Sequence, residues 1–289
     1  MKGPAIGIIV PRMDGYPITS ALRGMGEVLE SHGYEVMITN SHGSRQQEEE
    51  IARLLMGQGV RGIIASVSAE TSKLHHFNAF LRHGVPIVFF DQVKKMEKTS
   101  SVVIDNHWCG WLAAEHLVQQ GCRRIAIFTS DVRQGVDGQR YEGFLQRLRS
   151  FGISFSRELL IVGEMDERGG ANAAARLLAM DPMPDAVFVT GDLAAAVCMN
   201  TLRDAGVRVP HDLAIVGFNN EPAARLVKPS LTTIDYPGVE IGRTAAESLL
   251  KRMSAGPAPV EPQTIIVPAR LIVRHSSLSL PTEEKYAVV

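Results

Sequence analysis

Nine short apolar runs recur along the chain, at residues 5–10, 34–39, 62–66, 86–90, 101–104, 125–128, 159–162, 186–190 and 213–218. They are rich in β-branched residues and lack polar alternation, the pattern of strands buried on both faces of a parallel sheet. Amphipathic stretches of helical length separate them, at 18–32, 46–58, 71–83, 107–120, 136–151, 169–180 and 193–205. Strand and helix in alternation predict an α/β protein with right-handed crossovers. Nine or more strands, with two later ones at 264–267 and 270–273, exceed an ordinary single sheet. The expected architecture is therefore two doubly wound parallel-sheet lobes joined by several crossovers. The stretch 230–234 and one helix at 239–253 follow the second half, so the chain is expected to return late to the first lobe.

Gly33, Gly59, Gly84, Gly121, Gly152 and Gly206 each fall just after a helical stretch and before a strand. A residue with positive φ is wanted there to end the helix. In such folds a ligand lies against the carboxyl ends of the strands. Asp91, Asp105-Asn106, Ser130-Asp131, Glu164-Met165-Asp166, Asp192 and Asn219-Asn220 all follow strands at that edge. Each alone could be a helix cap, but six on one edge point to a lined polar cleft. Arg140, early in its helix, adds a fork of donors suited to hydroxyl or carboxylate pairs. An arginine serving only the ligand would leave the stability of the free protein nearly unchanged on truncation. Trp108 offers a flat face for a sugar or ring, or packs in the core.

Other chemistry is excluded by what the sequence lacks. No nucleophile elbow, phosphate loop, dinucleotide fingerprint or zinc-protease motif occurs, so the chain is read as a non-enzyme with no cofactor and no metal. Gly24 and Gly26 lie mid-helix and do not cradle phosphate. His75, His76 and His83 are read as a solvated helix face, and Glu48, Glu49 and Glu50 as first-turn carboxylates facing the helix dipole. Cys109, Cys122 and Cys198 lack C-x-x-C spacing and are expected as buried thiols. Over 289 residues, 30 Lys and Arg against 31 Asp and Glu leave a net charge of −1, which argues against DNA binding by this chain alone. Six apolar residues at 5–10 are too few for a leader or a membrane span, so a cytoplasmic, membrane-free protein is expected.

Together these residues closely resemble the effector-binding core of LacI/GalR-type bacterial transcriptional regulators, which share the type I periplasmic-binding-protein fold. The resemblance runs from Ala5 to about Ser276. Its carriers are Ile6-Gly-Ile-Ile-Val-Pro11, Leu22-Arg-Gly24, Ser31-His-Gly-Tyr34, Val85-Pro-Ile-Val88 with Asp91, Val103-Ile-Asp-Asn106 and Glu115-His-Leu117. They continue with Arg140-Tyr-Glu-Gly-Phe144, Gly191-Asp-Leu193, Val207-Arg-Val-Pro210, Ile215-Val-Gly-Phe-Asn219, Pro229-Ser-Leu-Thr-Thr233 and Arg270-Leu-Ile-Val-Arg274.

The resemblance implies a first lobe of 5–104 with 237–266, a second of 105–236 with 267–278, and a tail at 279–289. It also implies a small effector, a sugar or sugar derivative, held between the lobes by Ile18, Asp91, Asp105, Trp108, Gln134, Arg140, Met165, Asp192 and Asn219. Operator DNA would be bound only through an amino-terminal helix-turn-helix that this chain lacks. A homodimer is implied as well, for which residues 18–32 and 71–83 supply Leu22, Met25, Leu74 and Phe77. Three positions depart from the family pattern: Asn219 replaces the usual acid, Met165 a common aromatic, and Pro17-Ile18 a pair that is often Phe-Phe. An amide at 219 removes one negative charge opposite Arg140, which should admit sugar acids or phosphorylated sugars beside neutral sugars. A transporter's sugar-binding protein shares the fold and stands as the alternative. The regulator-like Val-Pro after Gly206 and the missing leader weigh against it.

Overall fold

In a computed structural model, residues 3–94, 96–133, 135–255 and 261–278 are described; the expected tail at 279–289 lies outside them. Among these residues the chain builds two six-stranded sheets, one in each of two compact units. The first unit is Met1–Asp105 with Pro237–Pro268, the second Asn106–Tyr236 with Ala269–Val289. The observed junctions fall at 105 instead of 104 and at 268 instead of 266.

The first unit contains β1 (Ala5–Val10), α1 (Tyr16–Ser31), β2 (Glu35–Asn40), α2 (Arg45–Gly57), β3 (Gly62–Ala65), α3 (Asn78–Arg82), β4 (Ile87–Phe90) and β5 (Ser100–Val103). After the excursion through the second unit it is completed by α9 (Gly238–Ser254) and β11 (Thr264–Ile266). The sheet order β11-β5-β4-β3-β1-β2 is parallel throughout. β1, β3 and β4 are covered on both faces, whereas the edge strand β2 stays largely half-buried, because an edge receives less helix cover.

The second unit repeats the plan with α4 (Asn106–Gln119), β6 (Ile125–Thr129), α5 (Gly135–Ser150), β7 (Leu160–Val162), α6 (Glu167–Leu178), β8 (Ala186–Val189), α7 (Asp192–Asp204) and β9 (Ala214–Asn219). A short α8 (Pro222–Leu226), β10 (Thr232–Asp235) and β12 (Arg270–Ile272) follow. Its order is β12-β10-β9-β8-β6-β7, with β12 antiparallel at the edge. All six glycines singled out above have positive φ, from +70° to +93°.

Small residues set how closely the helices pack. A Cβ added at Gly24 would fall 2.1 Å from the Val239 carbonyl oxygen on α9, and one at Gly242 1.9 Å from that of Ala21 on α1. In the second unit Gly110 of α4 and Gly143 of α5 meet the carbonyl oxygens of Arg140 and His107, each at 1.9 Å by the same measure. Gly24 is thus a helix-contact residue.

Three expectations need correction. Residues 71–83 do not form one helix: a 3-10 turn (His75–Phe77) precedes the five-residue α3. Within it His76 is almost wholly buried, and its Nε2 lies 2.9 Å from Oε1 of Glu48. Glu48 is itself fully buried and accepts the Ser68 amide at 2.7 Å and the Thr71 hydroxyl at 2.9 Å, so it ties α2 to the 68–76 segment. Finally, Met25, Leu74 and Phe77 are spent in the first unit's own core, which removes most of the apolar face expected to serve a dimer. The three cysteines are buried thiols as expected; burial pushes Cys122 and Cys198 up to about 12.

Candidate functional site

In the second unit β6 and β8 are neighbours, and the connection leaving β6 runs to β7 on one side while that leaving β8 runs to β9 on the other, a switch point that opens a crevice at their carboxyl ends. Thr129 ends β6, and Thr190 follows β8. The Thr190 hydroxyl donates to Thr129 Oγ1 at 3.2 Å and contacts the Met165 sulfur at 3.5 Å. Met165 is half-buried and packs on the core beneath.

Arg140, on α5, packs on Phe218 of β9. Its side chain leaves α5 on the covered face and is only 7% exposed. The guanidinium carbon sits 3.7 Å from the centroid of the Phe218 ring, a cation–π contact worth about 2 kcal/mol when desolvated. Nε donates to Asn106 Oδ1 at 2.9 Å, and Nη1 to Asp137 Oδ1 at 3.0 Å. The other oxygen of Asp137 accepts the Ser130 hydroxyl. Ser130, Asp137, Arg140 and Asn106 therefore form one chain of polar contacts across α4, α5 and the end of β6. An arginine so held is a fixed fork, with its plane set by the ring below. It also has a structural part: its removal takes a donor from Asn106 and from one oxygen of Asp137, whose other oxygen keeps Ser130, so truncation is expected to lower stability where the sequence predicted indifference.

The end of β9 is the second feature. Asn219 and Asn220 have φ of +106° and +53°, a conformation that short polar side chains tolerate better than others but that needs support. Asp192 supplies it. Fully buried at the start of α7, its carboxyl accepts the Thr233 hydroxyl at 2.7 Å and the Glu221 amide at 2.8 Å. Gly217 makes room for it, since a Cβ there would lie 2.1 Å from Asp192 Oδ1. Burial drives the Asp192 carboxyl up to about 8, against the opposing pull of its hydrogen-bond donors Thr233 and the Glu221 and Phe218 amides. Asn220 bonds Asp235 at 2.9 Å and accepts from Arg274 at 2.7 Å. The Asn219 amide donates to Glu221 Oε1 at 3.0 Å. A carboxylate thus stands two residues from the position where the acid was missing.

Trp108, on the first turn of α4, is 47% exposed and stacks on Trp111 with ring centroids 6.3 Å apart. Of the two readings weighed for it, ligand stacking and core packing, its exposure rules out the core. Gln134 lies outside the described residues. In the first unit Ile18 is buried on the first turns of α1, Asp91 follows β4 with φ of +58°, and Asp105 is exposed just before α4. The structure thus brings Arg140, Met165, Asp192 and Asn219 to one sheet edge and shows Asp192 to be engaged in holding that edge together. Sequence reasoning missed Asp137, Glu221, Thr129, Thr190 and Arg274. Asp137 was findable, three residues before Arg140 on one helix face. The Phe218 platform and the Asp192 clasp depend on register between strands and had no local signal.

The Periplasmic binding protein-like domain family matches residues 114–277. The HTH-type transcriptional repressor PurR of Erwinia tasmaniensis is 31% identical over 245 residues, spanning 84% of this chain and 71% of the repressor. A LacI family transcriptional regulator from Enterococcus faecium, solved with bound ribose, superposes with a TM-score of 0.83 at 28% identity, over 96% of this chain and 99% of that one. The transcriptional regulator CelR in complex with cellobiose gives 0.83 at 26% identity, over 94% and 84%. Sequence family, fold and polar sheet edge agree: the chain belongs to the periplasmic binding protein-like family and is the ligand-binding core of a LacI-type transcriptional regulator.

Proposed function

We propose that the effector is a small neutral polyol, a sugar or sugar derivative, held at the carboxyl edge of the second unit's sheet with Arg140 as its principal polar anchor. The observation that carries this reading is the immobilised guanidinium itself, stacked on Phe218 and oriented by Asn106 and Asp137. Such a fork discriminates by geometry, because two parallel donors match vicinal oxygens. Asn219 offers both a donor and an acceptor, and Trp108 a ring face for C–H packing. Ile18 and Asp91 are proposed contacts from the first unit, and Asp105 from the junction. The broader admission of anions expected from Asn219 loses support, since Glu221 keeps a carboxylate beside the amide. The regulators seen with ribose and with cellobiose favour the same chemistry.

Effector binding would bias one arrangement of the regulator and so change operator affinity by linkage, with no bond made or broken. The assembly is proposed as a cytoplasmic homodimer acting on DNA through a separate helix-turn-helix. No helix among the described residues is long and apolar enough to cross a membrane. The test is a thermal-shift screen over pentoses, hexoses, disaccharides, sugar acids, phosphorylated sugars and purines. A ligand at 100 times its Kd adds about 2.7 kcal/mol to stability, so a neutral sugar should stand clear of the rest. A hit confined to acids or purines would overturn the proposal.

A further inference from the structure

A second groove, of about 490 Å³, lies on the second unit along the last two turns of α5 and the loop that leaves it. Its floor is apolar: Leu145, Ile153 and Phe155, with Tyr141 edge-on to Phe155 at 6.0 Å between centroids. Arg149 and Arg157 also line the groove, and no carboxylate does. Neighbouring arginines are treated differently: Arg147 is paired with Glu115, and Arg124 with Glu158 at 2.7 Å. The second of these pairs takes away the acid adjacent to Arg157. Among the described residues Arg149 and Arg157 make no hydrogen bond or ion pair with a side chain. A basic residue in a helix's last turn ordinarily answers the helix dipole, which would account for Arg149. Arg157 lies beyond the helix and has no such role. Burial pushes the titration of the Tyr141 hydroxyl up, opposed by the charges of Arg149 and Arg157.

We propose that this groove is a second ligand site, independent of the effector edge, that takes a phosphate monoester carried on a flat, small organic body. One guanidinium fork satisfies the two oxygens of a carboxylate; two forks and a phenol hydroxyl suit a group with three terminal oxygens and nearly two charges. The volume falls in the range of small-molecule sites, and the paired rings accept a planar group. The site shares α5 with Arg140, which immediately precedes Tyr141, and α5 is held against α4 at Gly143 and Gly110.

The experiment is calorimetric titration of the intact chain with phenyl phosphate, with phenol and inorganic phosphate as separate arms, repeated on Arg149→Ala/Arg157→Ala and on Arg140→Ala. Saturable binding of phenyl phosphate is expected, tighter than of either fragment, weakened at least tenfold in the double variant and retained in Arg140→Ala. Phosphorus NMR linewidths give a second readout on each protein; Arg149→Gln/Arg157→Gln replaces the double alanine variant, and Arg140→Lys replaces Arg140→Ala, where either fails to fold. Binding that disappears in Arg140→Ala but survives in the double variant would place the anion at the effector edge and overturn the proposal. So would the absence of saturable binding in the millimolar range. The absence of saturable binding would leave the question of a sugar at Arg140 untouched, whereas an anion placed at the effector edge would bear on both readings and is told apart by its loss in Arg140→Ala.

Discussion

Asn219 stands where the family resemblance expects a carboxylate, and its amide is bonded to Glu221 at 3.0 Å. Burial already holds Glu221 above the usual carboxylate range, with the Asn219 bond opposing. Asn219→Asp would set two carboxylates face to face, and like charges so placed cannot both ionise freely. The variant is expected to melt below the parent near neutral pH and to recover as the pH falls, which thermal scans across pH will show. Two buried groups should shape the pH profile of the parent. Burial lowers His116, which bonds Ser277 at 2.7 Å, below its ordinary 6.5. Its contribution is complete above about pH 6.5 and is lost as the pH falls toward the lowered value. Asp192 runs the other way, raised from 3.8 to about 8. Its contribution is complete below about pH 3.8 and is lost as the pH rises through 8. Asp192→Asn should flatten the alkaline limb and leave the acid limb of His116 intact, as read by denaturant titrations at a series of pH values.

At the scale of elements, helix pairs depend on backbone approach at glycine. Gly110→Ala would force α4 off the Arg140 carbonyl, and overpacking of this kind costs about 1–3 kcal/mol. Gly26→Ala, on a more open stretch of α1, should be near neutral; chemical denaturation of both variants checks the contrast. Strand runs and terminating glycines were legible because each is encoded within a few residues: a β-branched run makes a buried strand, and the six glycines adopt the positive φ expected of them. The 71–83 segment was misread because its apolar residues fit a helical period while Glu48, more than twenty residues away, fixes its conformation through Thr71 and the Ser68 amide. The candidate site divides in the same way. Arg140 and Asn219 announced themselves at the ends of runs, whereas Phe218 under the guanidinium and Thr233 on Asp192 are set by how β9, β10 and α5 pack.

For the whole molecule, the net charge of −1 predicts no specific, salt-sensitive binding to promoter DNA at physiological salt by this chain alone; gel-shift titration checks it. Sedimentation should show a dimer at tens of micromolar, and because Met25, Leu74 and Phe77 are internal, surface substitutions rather than those three should disrupt it. Each unit is assembled from two stretches of chain, and this has a temporal side. The first unit has its first five strands once residue 105 is made, yet α9 and β11, which close it, are complete only at 268. At 5–20 residues per second, the 268 − 105 = 163 residues between take about 10–30 s to synthesise. Throughout that interval the α1 face at Ala21 and Gly24 has no α9 to cover it. A nascent chain stalled after Tyr236 should therefore be cut readily by protease within its first hundred residues, and one extended past Pro268 should resist, so that the earliest-made half of the protein is the half that waits.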